Sequence, residues 1–341
     1  MKRFTPFVSK RPKGFKHRCS VSVKMWKVTI GIFVSGLLIV ILLALTTRLA
    51  GEDSRSGVSA VARPGLPTEL AALYPDAPRP PIKSPRRIFH LGHSLVGRDM
   101  PYMVAQLAGK GHSYSFQLGW GTPLKAHLAG PEEIHGFAEE NASSHFEPLP
   151  EALANPELDV LVFTEMIGLE AAIRYQNSSE AVVELTRRAL TANPELELLL
   201  YETWHPLDEG DWLTRIPKAW ETLWQPFLLA PAVQTAKAPV RVVPAGTALA
   251  RLAKKIENTS GGLGGITGRA DFFSDDIHLN DLGAYMVALT HYAVIYRQSP
   301  VGLPHQLLRE DGTPAQAPSP ELAEVMQQIV WDTVQSSPLS W

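Results

Sequence analysis

Leu158-Asp159-Val160-Leu161-Val162-Phe163 is an almost unbroken apolar run of strand-forming residues. A strand with one wet face alternates apolar with polar, whereas a run without alternation is buried on both faces, as in a parallel sheet covered by helices. Working outward, four more stretches read as strands: Ile88-Phe89-His90-Leu91, Tyr114-Ser115-Phe116-Gln117-Leu118, Leu196-Glu197-Leu198-Leu199-Leu200-Tyr201 and Val240-Arg241-Val242-Val243-Pro244. Helical spacing fills the gaps, over 101–109, 179–190, 218–229 and 247–256, and a long amphipathic helix is expected over 281–297. Strands alternating with helices predict an α/β three-layer sandwich around a central parallel sheet of about five strands. In such sheets the ligand crevice lies beyond the C-terminal strand ends.

The chemistry-bearing residues fall at those ends. Ser94 follows the first strand in Gly92-His93-Ser94-Leu95, and Gly119-Trp120-Gly121-Thr122 follows the second. Thr164-Glu165 follows the third, and Thr203-Trp204-His205 the fourth. Late in the chain stands Asp275-Asp276-Ile277-His278. A serine hydroxyl becomes a nucleophile when a positioned base takes its proton. His278 is the candidate base, and Asp275 is the residue that would orient its ring from the same loop. Backbone N–H groups at Ser94 and Gly121 would stabilise an oxyanion, since glycine lets the backbone approach closely. Read alone, Ser94 is also an ordinary helix cap, and Asp275 or Asn280 could simply cap the helix that follows. His205 is an alternative base, and Trp120 with Trp204 a possible sugar-stacking wall; buried packing competes for all three. His90, His93, Asp275 and His278 can be sketched as a metal site, but no tight ligand spacing supports one, and no metal or cofactor is expected. Gly261-Gly262-Leu263-Gly264-Gly265 lacks the Lys-Ser/Thr of a phosphate loop and reads as a flexible loop.

These residues resemble the SGNH (GDSL-like) hydrolase superfamily. Gly92-His93-Ser94-Leu95 is similar to its first block, usually Gly-Asp-Ser-Leu; Gly121 to the oxyanion glycine of the second; and Asp275-Asp276-Ile277-His278 to the last, Asp-x-x-His. The resemblance spans about 87–300. It implies a flavodoxin-like SGNH fold and an ester hydrolase with Ser94, His278 and Asp275 as catalytic residues, acting on an ester-bearing carbohydrate, such as O-acetylated envelope or exported polysaccharide, or on a lipid ester. Gly121, Gly119, Thr164 and Trp204 would lie around the oxyanion and substrate. One departure stands out: the third block carries Gly-x-Asn-Asp, and here the strand ends Phe163-Thr164-Glu165-Met166 with no Asn. The Thr164 hydroxyl is the substitute donor on offer. An O-acetyltransferase would use the same triad, and a non-catalytic binding or scaffold module is the reading from another class.

The chain has 341 residues and a formal net charge of −2. Positive charge is concentrated over 1–27, which holds nine Lys and Arg and no Asp or Glu. An uncharged stretch, VTIGIFVSGLLIVILLALTT, follows over 28–47. At about 20 residues it suits one transmembrane helix, and its basic flank places the N-terminus in the cytoplasm. The long apolar run and poor cleavage site favour an uncleaved anchor over a signal peptide. The arm is therefore not read as a nucleic-acid binder, and the main domain is expected in the periplasm or outside the cell. Cys19 is the single cysteine, so the exported part has no disulfide or thiolate chemistry. The expected organisation is a basic tail (1–27), a membrane helix (28–47), a Pro-rich linker (48–86), the hydrolase-like domain (87–312) and a tail with one helix (313–341).

Overall fold

Successive residues of a strand point to opposite sides, and the central strands bury both sides. In β3 (Val160–Phe163), Val160 and Val162 join one apolar cluster while Leu161 and Phe163 join the other. β4 (Glu197–Glu202) divides in the same way, with Leu199 and Tyr201 opposed to Leu198 and Leu200. With β1 (Arg87–His93), β2 (Ser113–Gly119) and β5 (Arg241–Pro244) they make one sheet in the order β2-β1-β3-β4-β5, every pairing parallel. The computed structural model describes residues 65–341.

Helices Asp99–Ala108, Ala245–Glu257, Asp281–Tyr296 and Pro320–Gln335 supply apolar residues to one face. Ser178–Ala192 supplies the other, and the continuous stretch Trp212–Ala219, Trp220–Leu229 and Ala230–Ala236 divides, with Trp212 and Ile216 on the first face and Ala219 and the buried residues after it on the second. The middle of that stretch, expected as an ordinary helix over 218–229, is π-helical. Pro217 and Pro226 lie within it and lack the N–H groups that an α-helical ladder needs. The chain leaves β1 toward β2 on one side and then crosses to β3 on the other. The strand order therefore reverses between β1 and β3, which is where an open α/β sheet forms its crevice.

Helix Asp281–Tyr296 is not amphipathic, because every residue from Tyr285 to Tyr296 is buried. The reason is the tail. Leu322, Met326, Val330 and Val334 of helix Pro320–Gln335 join the same core cluster, and the Val242 N–H of edge strand β5 donates to Leu339 O at 2.9 Å. Residues 313–341 are therefore part of the core rather than an appendage. The described part of the expected linker packs on the domain as well: Leu66 and Tyr74 are buried, and Tyr74 Oη donates to Val240 O at 2.6 Å. The Ile82 N–H donates to Tyr296 O at 2.8 Å. The glycine-rich loop, finally, is tied down. Leu263 and Ile266 exchange two backbone hydrogen bonds, and Gly264 packs on Ser319 and Leu322.

The expected basic tail, membrane helix and first part of the linker lie outside the described residues. Among the described residues no helix is long and apolar enough to cross a membrane.

Because the tail helix covers the innermost helix, Met326→Ala is expected to cost about 2–5 kcal/mol of stability, the range for deleting a fully buried large side chain. Urea unfolding measures this, and removal of 317–341 is expected to leave no cooperative transition.

Candidate active site

Ser94 sits on the turn that ends β1, at the switch point. His93 O accepts the N–H groups of Val96 (2.8 Å) and Gly97 (3.4 Å), which closes the turn. The His93 ring is fully buried inside it: Nδ1 accepts the Leu95 N–H at 3.3 Å, so Nε2–H donates to Glu165 O at 2.9 Å. Strand β1 is held just before the turn by a second buried histidine. Gln117 Nε2 donates to His127 Nδ1 at 2.9 Å, leaving Nε2–H of His127 to donate to Gly92 O at 2.9 Å.

The second half of the site is the loop between Phe273 and Leu279, which face each other as an antiparallel bridge. Ser274 N–H donates to His278 O at 2.8 Å. Asp275 Oδ1 accepts the N–H groups of Ile277 (2.9 Å) and His278 (2.7 Å), and its Oδ2 accepts from His278 Nδ1 at 2.7 Å. His278 Nε2 then lies 2.9 Å from Ser94 Oγ. Those N–H donations, first from the His278 and Ile277 backbones and then from the His278 ring, hold the Asp275 carboxyl down to about 2. It is ionised at any working pH, so Nδ1 carries the ring proton and the Nε2 lone pair faces the serine O–H. Asn280 anchors the loop to the next helix, its Oδ1 accepting from Leu282 and Gly283 N–H groups.

The expected residues divide. Ser94, His278 and Asp275 are brought into one hydrogen-bonded line. Gly121 adopts φ +53°, a left-handed conformation that side-chain-bearing residues avoid. It lies two residues past Gly119, the strand partner of His93. The amides of Ser94 and Gly121 donate no hydrogen bond among the described residues. Gly119 itself is a packing position, where a Cβ would run into Thr122 and Ile134.

Thr164 is corrected. It is fully buried and its hydroxyl donates to Tyr201 O at 2.8 Å, away from any oxyanion. Trp204 is corrected as well: it is 2% exposed, and its Nε1–H donates to Ile277 O at 2.8 Å, so it props the loop that carries His278. Leu207 N–H assists by donating to Asp276 O at 2.7 Å. Glu165, standing near the place of the absent Asn, turns inward. Its Oε1 accepts the N–H groups of Met166 (2.8 Å) and Leu124 (3.2 Å). Burial pushes its carboxyl up, with those two N–H groups working against the rise. His205 lines a separate cavity of about 260 Å³ with Gly168, Glu170, Arg174 and Arg215, and His278 holds the contact to Ser94. His90 is fully buried and faces His291, 5.8 Å away between ring centres. A cavity of about 230 Å³ opens beside Ser94 and His278, lined also by Arg98, Asp99, Asn280 and Asp281. His127 and the Trp204 prop were missed from the sequence: a single histidine or tryptophan carries no spacing signal, and both act through the fold.

No family model matches the chain, and no curated protein matches it. Among solved structures, a protein described as a GDSL-like lipase from Parabacteroides merdae superposes with a TM-score of 0.39 at 14% identity, over 61% of this chain and 94% of that one. At that level of likeness it assigns no residue here.

The buried histidines make the fold acid-sensitive. Burial lowers His93, His112 and His291 to about 4 and His127 to about 3. Their folded values lie below the unfolded one, so their stability is fully present above about 6.5 and declines as pH falls, when the unfolded chain takes up protons the native state refuses. Glu202, raised to about 7 by burial, runs the other way and gains stability over the same descent. Burial lowers His90 and His205 too and raises Glu165, so six histidines against two carboxyls predict a net loss of more than about 2 kcal/mol from pH 7 to pH 5, read by denaturant unfolding at each pH.

Proposed function

We propose that this chain is a serine esterase of SGNH type, and the observation that carries the reading is the unbroken line Asp275–His278–Ser94. His278 Nε2 takes the proton as Ser94 Oγ attacks the ester carbonyl, and Asp275 stabilises the resulting imidazolium. The carbonyl oxygen becomes an oxyanion received by the N–H groups of Ser94 and Gly121. The imidazolium returns its proton to the departing alkoxide, leaving an acyl-Ser94. Water, deprotonated by His278, releases the acid and restores the serine. The hole has two backbone donors and no amide side chain, because Thr164 and Glu165 are committed elsewhere.

Hydrolysis is favoured over transfer to a sugar because the relay is wet. The His278 and Asp275 side chains are 42% and 55% exposed, so water reaches the acyl-enzyme. The cavity beside Ser94 is small and polar, which favours a short acyl group such as acetyl on a hydroxyl-rich carrier over a long acyl chain. The uncharged stretch over 28–47, with its basic flank, supports a membrane-anchored protein whose esterase domain faces away from the cytoplasm. O-acetylated envelope or exported polysaccharide is then the substrate within reach.

Purified protein is expected to hydrolyse p-nitrophenyl acetate and to be labelled by a fluorophosphonate. Ser94→Ala should abolish labelling, and Ser94→Ala or His278→Ala should lower the rate about 10³-fold or more. Turnover that survives Ser94→Ala would overturn the assignment of the nucleophile. Asp275→Asn, which retains shape but not charge, should cost less than loss of His278 and about 10²-fold, since water screens this exposed carboxylate.

A further inference from the structure

Trp120 is an exposed aromatic side chain that the hydrolytic relay does not use. More than half of its surface, 52%, lies in water. Isolated exposed apolar residues are common and need no function. This one differs in being held rigidly and in where it is held. Its N–H donates to His135 O at 2.8 Å, and its indole Nε1–H donates to Glu140 Oε1 at 2.7 Å. Gly136, at φ +69°, lies against the ring so closely that a Cβ there would sit 2.2–2.6 Å from indole atoms. The segment over 131–140 is thus shaped to back one face of the indole.

The place follows from strand register. Gly119 pairs with His93 across β2 and β1, so Trp120 and Ser94 are the next residues as the two chains leave the sheet side by side. Gly121, the second oxyanion amide, follows directly. An ester carbonyl received between Ser94 and Gly121 would have Trp120 as the chain neighbour of its second donor.

Resting on the esterase reading, we infer that Trp120 is a stacking platform for a sugar ring of the substrate, and that the glycan it accepts carries no acidic groups. The C–H face of a pyranose meets an aromatic face by dispersion and burial of apolar surface. A ring already locked in one rotamer loses little entropy when the sugar arrives. The restriction to non-acidic glycans comes from the backing segment, which carries Glu132, Glu133, Glu139 and Glu140 and no Lys or Arg. The cations nearby are Lys125 on the helix Leu124–Ala129 and Arg98, which donates to Ala142 O at 3.3 Å and lines the cavity beside Ser94 together with Asp99 and Asp281. A uronate ring would bring like charge to this rim, whereas a neutral ring can offer a hydroxyl to the second oxygen of Glu140.

The test measures binding apart from turnover. Full-length protein carrying Ser94→Ala is titrated calorimetrically with partially O-acetylated cello-oligosaccharides, and with partially O-acetylated oligogalacturonates as the acidic counterpart. Adding Trp120→Ala is expected to raise the Kd for the neutral ligand about tenfold, and Trp120→Phe to recover most of the loss. The oligogalacturonate is expected to bind at least about tenfold more weakly at low salt, with the gap narrowing as salt is added. An unchanged Kd in Trp120→Ala, no binding of the neutral ligand at millimolar concentration, or tighter binding of the acidic ligand would each overturn the inference. Binding that depends on Trp120 in a protein whose wild type shows no Ser94-dependent hydrolysis would instead strike the esterase reading and leave the platform standing.

Discussion

The rest of the structure follows from a parallel sheet that keeps no face for water. With Leu161 and Phe163 buried on one side and Val160 and Val162 on the other, every crossover must lay a helix over one of the two faces. Polar groups can then gather where the strands end, because only there does the chain leave the packed layers. The reversal of strand order between β1 and β3 opens that end, and Ser94 stands at the end of β1. The position of Ser94 is a consequence of topology before it is one of chemistry.

Around the site, buried polar groups act as mounts rather than reagents. Glu165 receives the N–H groups of Leu124 and Met166, while its carbonyl receives His93. Three segments are thereby joined behind the Ser94 turn. Trp204 and Leu207 play the same part for the loop of His278. Interior polar groups without partners are costly, so such mounts resist being moved and hold a three-residue relay whose own side chains are partly in water. The Asp275 carboxylate, whose side chain is 55% exposed, is kept ionised by backbone N–H groups of its own loop rather than by burial.

Much of this was legible in the residues. The apolar runs at Ile88, Val160 and Leu198 announced the parallel sheet, because a strand buried on both faces has no choice of composition. Gly92-His93-Ser94 and Asp275-Asp276-Ile277-His278 announced the relay, because a base and its orienting acid on one short loop need that spacing. Thr164 and Trp204 were misread for a shared reason. Residues just past a strand reach the crevice or the core according to side-chain direction, and their order along the chain does not encode it. The helix over 281–297 looked amphipathic because the partner covering its outer face comes more than twenty residues later, after a Pro-rich stretch that resembles the start of a tail.

By itself the sequence determined the sheet, the order of strands and helices along the chain, and the choice of Ser94, His278 and Asp275 as candidate site residues. All of these rest on local composition or spacing within a few residues. Only the tertiary structure decided that 313–341 completes the core, that Glu165 turns inward where an amide donor was expected, and that Trp120 is exposed while Trp204 is buried. Each of these depends on which distant surfaces meet, and a contact between segments far apart in the chain leaves no periodicity in either one.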